Sequence, residues 1–557
     1  MDNFPGQQSY LCGGAVEPLL YETIGVCLDR IVRIHAEREA LVVRHQNIRW
    51  TFAEYQKRIE ALATGLLHVG IKPGDRVGIW APNCFEWCVT QFATAKIGAI
   101  MVCLNPAYRL YELEYALNKA ECKAIIAAEK FKTSEYLRML LELAPELTQC
   151  GAGQLKSVKL PHLETVIRMG DGITGGMFNF NAVCQMGGEW DYARMAEIAP
   201  MLQPDDAINI QFTSGTTGRP KGATLSHFNI LNNGLQVAAG MRFSCEDRLC
   251  IPVPLYHCFG MVMGNLACMT HGACAVFPGE GFDPALTLET VEAEKCTALH
   301  GVPTMFVAET DLPEVGQFDL SSLRTGVMAG APCPLELMHK VIDKLNMGQI
   351  TIMYGQTETS PVNHMTDIDA PAEKRCGTVG KVGPYQEIKI IDDTGRVVSI
   401  GEKGELCCRG YSVMRGYWND EARTRETIDT AGWLHSGDLA QMDKEGYVQI
   451  VGRIKDMIIR GGENIYPREI EEFLATHADI QEVQVFGIPD DKYGEVVCAW
   501  VQLREGSTLS DEDVRSFCRD QITHFKVPGL IRFVAEFPMT VTGKIQKFKM
   551  RDAMLAS

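Results

Sequence analysis

The sequence predicts an α/β protein. It has a large N-terminal domain of two doubly wound α/β subdomains plus a small β subdomain (residues 1–454), then a small mobile α+β C-terminal domain (residues 455–557). Three observations point to this. Short apolar strand patterns alternate with helical ones from residue 40 to 128 and again from 208 to 354, which specifies parallel, helix-covered sheets. After about residue 375 the pattern changes to short strands separated by turn residues, and past Arg453 a compact strand and helix series runs to a lysine-rich end. With 557 residues, 46% of them hydrophobic, the chain is long enough to bury several cores.

In chain order, residues 21–36 place Ile24, Leu28, Ile31 and His35 on one helical face, and residues 40–51 read as two strands about a His-Gln-Asn turn. Strands follow at Arg76–Trp80, Ile100–Leu104 and Lys123–Ala128, with helices through Phe85–Ile97 and near Tyr111–Lys119 between them. Residues 149–204 are rich in Gly, Met and Asn and poor in periodicity, and read as a long connection. The second series has strands at Ile208–Phe212, Arg248–Val253, Ala273–Phe277, Ala298–His300, Thr325–Ala329 and Ile350–Tyr354. Two doubly wound halves place a ligand at the carboxyl ends of strands. Asp392-Asp393-Thr394-Gly395 and Asp443-Lys444-Glu445-Gly446 are hairpin turns by their chemistry. A helix starting at Pro467 sets Ile470, Phe473, Leu474 and His477 on one face.

The formal net charge of −17, with no compensating basic run, argues against a nucleic-acid partner. The longest apolar stretches, such as Ile97–Leu104, fall well short of the roughly 18 residues of a membrane helix. The first residues carry neither a secretory signal pattern nor an Arg-rich amphipathic presequence, so the expected address is cytoplasmic, or the mitochondrial matrix where a presequence has been removed. Twenty cysteines are scattered, Cys84 and Cys88 being the nearest to a ligand pair. Without a Cys-x-x-Cys and partner histidines they read as buried free thiols rather than a zinc site.

The stretch with the most chemical content is Thr213-Ser-Gly-Thr-Thr-Gly-Arg-Pro-Lys-Gly222. Its glycines allow close backbone approach to an anion, its hydroxyls donate, and Lys221 adds a full charge, which together make a phosphate cradle. It is not the triphosphatase P-loop, which needs Gly-Lys-Ser/Thr opening a helix. Tyr354-Gly355-Gln356-Thr357-Glu358 offers an aromatic for a purine, a hydroxyl for a phosphate oxygen and a carboxylate for Mg²⁺. Asp438, in Gly432–Asp438, can accept from a ribose diol. Gly452-Arg453-Ile454-Lys455-Asp456, the hairpin Arg460–Asn464 and Thr542-Gly543-Lys544 are, by composition alone, charged surface.

The order and spacing of these strings over nearly the whole chain resemble the adenylate-forming superfamily of acyl-CoA synthetases, luciferases and peptide-synthetase adenylation domains, and most closely its fatty acyl-CoA ligases. The resemblance implies that Thr213, Ser214, Gly215, Thr216, Thr217, Gly218 and Lys221 hold the phosphates of ATP. Gly330, Ala331 and Pro332 would flank the adenine, with Tyr354 and Gly355 beside it. Thr357 would contact the α-phosphate, Glu358 would hold Mg²⁺, and Asp438 and Arg453 would bind the ribose. Lys455 would be the hinge, Lys544 the catalytic lysine, His257 a gate between acyl pocket and CoA channel, and Gly461 and Gly462 part of that channel.

The implied reaction is AMP-forming. A fatty carboxylate and MgATP give acyl-AMP and pyrophosphate, and coenzyme A then displaces AMP. Met261 and Met263, with Gly260 and Gly264, suggest an apolar acyl slot for medium to long chains. An aryl or short branched-acid ligase, or a nucleotide-binding relative without catalysis, are the alternatives. The partners are small molecules, and the chain is a monomer or a homodimer.

Overall fold

The computed structural model describes residues 8–15, 18–213, 220–460, 463–490, 493–519, 521–522, 524–540 and 545–556. The chain forms two compact units. The larger comprises Cys12–Glu387 and Cys408–Leu434, and the smaller Met1–Leu11, Ile388–Cys407 and His435–Ser557.

Two large sheets form the frame of the larger unit. The first runs, in spatial order, Gly416–Tyr417, Lys221–Ser226, Ala207–Thr213, Ile100–Cys103, Arg76–Trp80, Ala124–Ala127, Thr165–Arg168 and Phe178–Asn179. From Ala207–Thr213 onward its pairs are parallel, and the two strands at the other edge are antiparallel. The second runs Lys381–Val382, Val362–Met365, Gln349–Gly355, Thr325–Ala329, Ala298–Gly301, Arg248–Cys250, Cys274–Phe277, Glu39–Val43 and Ile48–Thr51, parallel in the middle and antiparallel at both edges. Strands such as Ile100–Cys103 and Ala124–Ala127 are buried at every position, as parallel strands covered on both faces must be. Local chemistry sets the helix starts. Thr51 and Glu54 form a reciprocal capping box for Phe52–His68, and Ser226 and Asn229 do the same for His227–Gly240.

The reading of residues 149–204 as a long connection is corrected. This span contributes the strands Thr165–Arg168 and Phe178–Asn179 and the helices Phe180–Met186 and Glu189–Ile198. Asn179 caps the first helix through its side-chain oxygen, while the second has only Asp191 and Ile198 buried, so an apolar stripe never appears in its sequence. The helix Tyr136–Leu143, likewise absent from the sequence reading, packs Tyr136 flat on Trp80 with ring centroids 3.9 Å apart.

In the smaller unit the turn chemistry behaves as expected. Asp392 accepts from the N–H groups of Thr394 and Arg396, and Asp443 from those of Glu445 and Tyr447, with Gly395 and Gly446 at φ of 81° and 83°. A second sheet, built on the long pair Ile480–Asp490 and Gly494–Leu503, packs Ile458, Ile470, Leu474, Val485 and Val497 into its own core beneath the helix Pro467–Leu474. Among the described residues, no helix is long and apolar enough to cross a membrane.

Candidate active site

Antiparallel pairing of Ala207–Thr213 with Lys221–Ser226 sets Thr213 opposite Lys221, so the two ends of the Gly-rich loop leave and re-enter the sheet at one place. Ser214, Gly215, Thr216, Thr217 and Gly218 lie outside the described residues. The Lys221 ammonium stands 4.9 Å from the centre of the Tyr417 ring, a cation–π contact. The Tyr417 hydroxyl donates to Glu358 Oε1 at 2.8 Å, and Thr213 Oγ1 donates to the same oxygen at 3.3 Å. Burial, and next the Glu358 carboxylate, push the Tyr417 phenol well above its ordinary pKa, so it remains a donor. Thr213 ends a strand of the first sheet and Glu358 follows the last parallel strand of the second. Their hydrogen bond thus joins the carboxyl ends of the two sheets.

Glu358 is positioned by a tight turn. A Cβ at Gly355 would lie 1.8 Å from the Pro361 carbonyl oxygen, so only glycine fits there. The Gln356 N–H donates to Thr359 Oγ1 at 2.9 Å and closes the single 3₁₀ turn Thr357–Thr359. Thr357 itself hydrogen-bonds the buried Cys258 thiol. Tyr354 sits opposite His364 in the ladder, their rings 5.7 Å apart and steeply inclined. On the neighbouring parallel strand, Gly330 at φ 91° carries the chain into exposed Ala331 and Pro332. The tripeptide meant to flank a purine and the aromatic meant to stack on it therefore leave adjacent strand ends.

His257 precedes a π-helical turn, Phe259–Leu266, an uncommon geometry that recurs at functional sites. Its Nδ1 accepts from the Phe259 N–H at 3.2 Å. Gly260 permits the turn to press against the Pro254 carbonyl, 2.4 Å from where a Cβ would stand, and Met261 and Met263 are buried. His300 braces the turn from the second sheet. Its Nδ1 accepts from the Val327 N–H at 3.2 Å and its Nε2 donates to the Met263 carbonyl at 3.0 Å, while burial lowers its pKa to about 4 and keeps it neutral.

In the smaller unit, Asp438 and Arg453 face each other across the pair Leu434–Met442 and Val448–Arg453, with Arg453 Nε 2.9 Å from Asp438 Oδ1. The Asp438 side chain is 4% exposed and the Arg453 side chain 34%. Lys455 lies exposed in the 3₁₀ turn Ile454–Asp456. Arg460, at the start of the hairpin assigned to the CoA channel, donates to the Phe525 carbonyl at 3.2 Å. Gly461, Gly462 and Lys544 lie outside the described residues. Lys547, at the start of the last helix, pairs with Glu471 at 2.5 Å and donates to the Val485 carbonyl.

This arrangement can be set against known proteins. The family model "AMP-binding enzyme" matches residues 28–418, and "AMP-binding enzyme C-terminal domain" matches residues 469–544. The chain belongs to the AMP-binding enzyme family. It is 46% identical to a putative acyl-CoA synthetase, YngI, of Bacillus subtilis, over 96% of this chain and 97% of that one. It is also 46% identical to the mitochondrial medium-chain acyl-CoA ligase ACSF2 of Danio rerio, over 98% and 90%. Among solved structures, ATP-bound MatB from Rhodopseudomonas palustris is similar at TM-score 0.84 and 27% identity, covering 96% of this chain and 99% of that one. The anthranilate CoA ligase AuaEII, in complex with anthranoyl-AMP, gives the same score and identity over 97% and 98%.

Some residues that shape the site of this AMP-binding enzyme escaped the sequence reading. Asn229 donates to the Tyr411 and Val413 carbonyls at 2.6 and 3.1 Å, and Asn233 both donates to the Val362 carbonyl and accepts from its N–H. The Asn229 bonds hold the segment whose Met414 N–H donates to the Glu358 carbonyl and which ends in Tyr417, and the Asn233 bonds hold Val362, just past the turn that carries Glu358. Asn83 performs a like service for the loop before His257, bonding the Val253 carbonyl and the Leu255 N–H. A signal was present for the first set: asparagines spaced three and four apart in an otherwise apolar helix have to find buried partners.

Proposed function

We propose that this chain is an AMP-forming fatty acyl-CoA ligase that joins a medium- to long-chain carboxylate to coenzyme A at the expense of ATP. The observation that carries the reading is the convergence of Thr213, Lys221, Tyr417 and Glu358 at the carboxyl ends of two sheets, in a chain 46% identical over nearly its full length to named acyl-CoA synthetases. Lys221 neutralises phosphate charge at the mouth of the loop, and Tyr354 with Gly330–Pro332 receives the adenine. Asp438 and Arg453 serve the ribose hydroxyls. The substrate carboxylate is ionised at neutral pH and needs no base. What it needs is stabilisation of charge accumulating at the α-phosphate, the role assigned to Thr357 and Lys544.

The donor set around Glu358 fits Mg²⁺, a hard cation that takes one or two carboxylates together with substrate phosphates and waters. Bound there, Mg²⁺ supplies charge neutralisation on the polyphosphate. Glu358 would hold it, with its carboxylate fixed by the Thr213 and Tyr417 hydroxyls. In the second half-reaction His257 gives the CoA thiol access to the acyl carbonyl, Arg460–Asn464 with Gly461 and Gly462 line its channel, and the chain turns at Lys455. The enzyme works in the cytoplasm or the mitochondrial matrix, as a monomer or homodimer.

The buried, methionine-lined π-helical turn beside His257 favours an aliphatic chain over an aromatic ring. Each methylene buried is worth about 0.8 kcal/mol, so kcat/KM should rise with chain length through octanoate. A panel from acetate to palmitate with benzoate, assayed for CoA-dependent AMP release, tests this. Benzoate turned over as well as octanoate would refute the fatty-acid assignment. Absence of ATP–pyrophosphate exchange with every acid would refute catalysis altogether.

A further inference from the structure

In the smaller unit, on the strand that also carries Asp438 and its neighbour in the sheet, three side chains that have no role above meet. Glu405 and Cys407 stand two residues apart on the strand Lys403–Gly410, so strand alternation turns both to one face, and His435 lies on the neighbouring strand Leu434–Met442. His435 Nδ1 is 2.8 Å from Glu405 Oε2 and 3.6 Å from Cys407 Sγ, and one donor atom from each of the three lies within 4.8 Å of the other two. The second oxygen of Glu405 accepts the Gly437 N–H at 3.0 Å, which fixes how the carboxylate is presented. Cys407 is fully buried, whereas the side chains of Glu405 and His435 are 19% and 31% exposed, so the triangle has a sulfur at its floor and opens to solvent above.

We propose that Glu405, Cys407 and His435 form a binding site for a borderline-soft divalent cation, Zn²⁺ foremost. A tetrahedral zinc with Zn–S of about 2.3 Å and Zn–N of about 2.0–2.1 Å sets its sulfur and nitrogen ligands about 3.6 Å apart. Cys407 Sγ and His435 Nδ1 already stand at that separation. The Glu405–His435 contact is hydrogen-bond length and has to open only to about 3.4 Å, the matching nitrogen–oxygen edge. One thiolate, one imidazole and one carboxylate suit zinc or cobalt and leave a fourth position to water from the open side. Mg²⁺, which demands octahedral oxygen ligation, is selected against.

The protons balance. In the empty site the Nδ1 proton of His435 is donated to Glu405. On binding, Nδ1 gives its lone pair to the metal, the ring proton is carried on Nε2 instead, and the Cys407 thiol loses its proton to solvent. One proton is released per ion, and two anionic ligands offset the dication.

The test is a Co²⁺ titration of full-length, metal-stripped protein without nucleotide, followed by Zn²⁺ and, separately, Mg²⁺. The expected result is stoichiometric binding with thiolate-to-cobalt charge-transfer absorption and tetrahedral d–d bands, abolished by Zn²⁺ and unaffected by Mg²⁺. Cys407→Ser should lose the charge-transfer band. Cys408→Ser, the adjacent thiol that hydrogen-bonds Asn363 instead, should keep it. His435→Gln and Glu405→Gln should weaken binding by more than the ~10–100-fold that even outer partners of a metal site cost.

Cys407 is buried, so folding of its variant is checked by circular dichroism. The half-buried, isosteric Glu405→Gln provides a second readout: Zn²⁺ should raise the Tm of wild type and not of this variant. The proposal is overturned if folded wild type binds no Co²⁺, if Cys407→Ser retains the band, if Cys408→Ser loses it, or if Zn²⁺ raises both Tm values equally. Any of these leaves Glu405–His435 as a plain cross-strand hydrogen bond.

Discussion

The Tyr417 hydroxyl offers the cleanest probe of the proposed phosphate site, because Tyr417→Phe deletes one atom and leaves the ring beneath Lys221. That atom donates to Glu358 Oε1 at 2.8 Å, in a setting where Tyr417 is 8% and Glu358 9% exposed. A hydrogen bond to a charged group contributes about 1.5–3 kcal/mol, and burial excludes water as a replacement donor. Glu358 keeps Thr213 Oγ1 at the longer distance of 3.3 Å, so the carboxylate should shift rather than collapse. The expected outcome is a fall of ~10–100-fold in kcat/KM for ATP in the adenylation half-reaction, read by ATP–pyrophosphate exchange with octanoate at several Mg²⁺ concentrations. Tyr417→Leu should lose a further ~0.5–2 kcal/mol as the cation–π contact with Lys221 goes. Thr213→Val combined with Tyr417→Phe should be non-additive, because both donors serve one oxygen. A Tyr417→Phe protein that is folded and exchanges pyrophosphate within twofold of wild type at limiting Mg²⁺ would refute the reasoning, and Tyr417 would be core packing only.

Asp438→Ala removes an almost fully buried carboxylate and its bond to Arg453, and should raise the KM for ATP by the equivalent of about 1.5–3 kcal/mol; an unchanged KM in a folded variant rules out the ribose role. Lys544→Ala should lower acyl-AMP formation by ~10²–10³-fold while thioester formation from supplied octanoyl-AMP and CoA persists. Lys455→Pro should show the reverse, since proline fixes φ at the proposed hinge, and equal loss of both half-reactions in both variants would count against that role. Burial holds His300 near a pKa of about 4 and His227 and His364 near about 3, against about 6.5 when unfolded. The unfolded state therefore binds more protons below pH 6.5. Stability is fully present above that pH and falls on acidification toward pH 4, by up to ~1.4 kcal/mol per pH unit for each histidine. A Tm that stays flat from pH 7 to pH 5 would contradict the burial of all three.

What the sequence determined by itself was whatever is encoded locally. The fully apolar strands Ile100–Cys103 and Ala124–Ala127 and the Asp392 and Asp443 turns were each legible, because a strand buried on both faces or an Asx turn needs particular residues within a few positions of one another. The helix Glu189–Ile198 was not legible, since so little of it is buried that no periodicity marks it. Only the tertiary structure decided that Thr213 and Tyr417 donate to one oxygen of Glu358, across more than two hundred residues of chain, that Asn229 holds the segment carrying Tyr417, and that Asn233 holds Val362 just past Glu358. The same is true of Glu405, Cys407 and His435, whose two strands carry no recognisable metal motif. Local signals report what the backbone needs nearby, whereas buried side chains must find hydrogen-bond partners wherever the fold brings them, and that pairing is set by packing rather than by spacing along the chain.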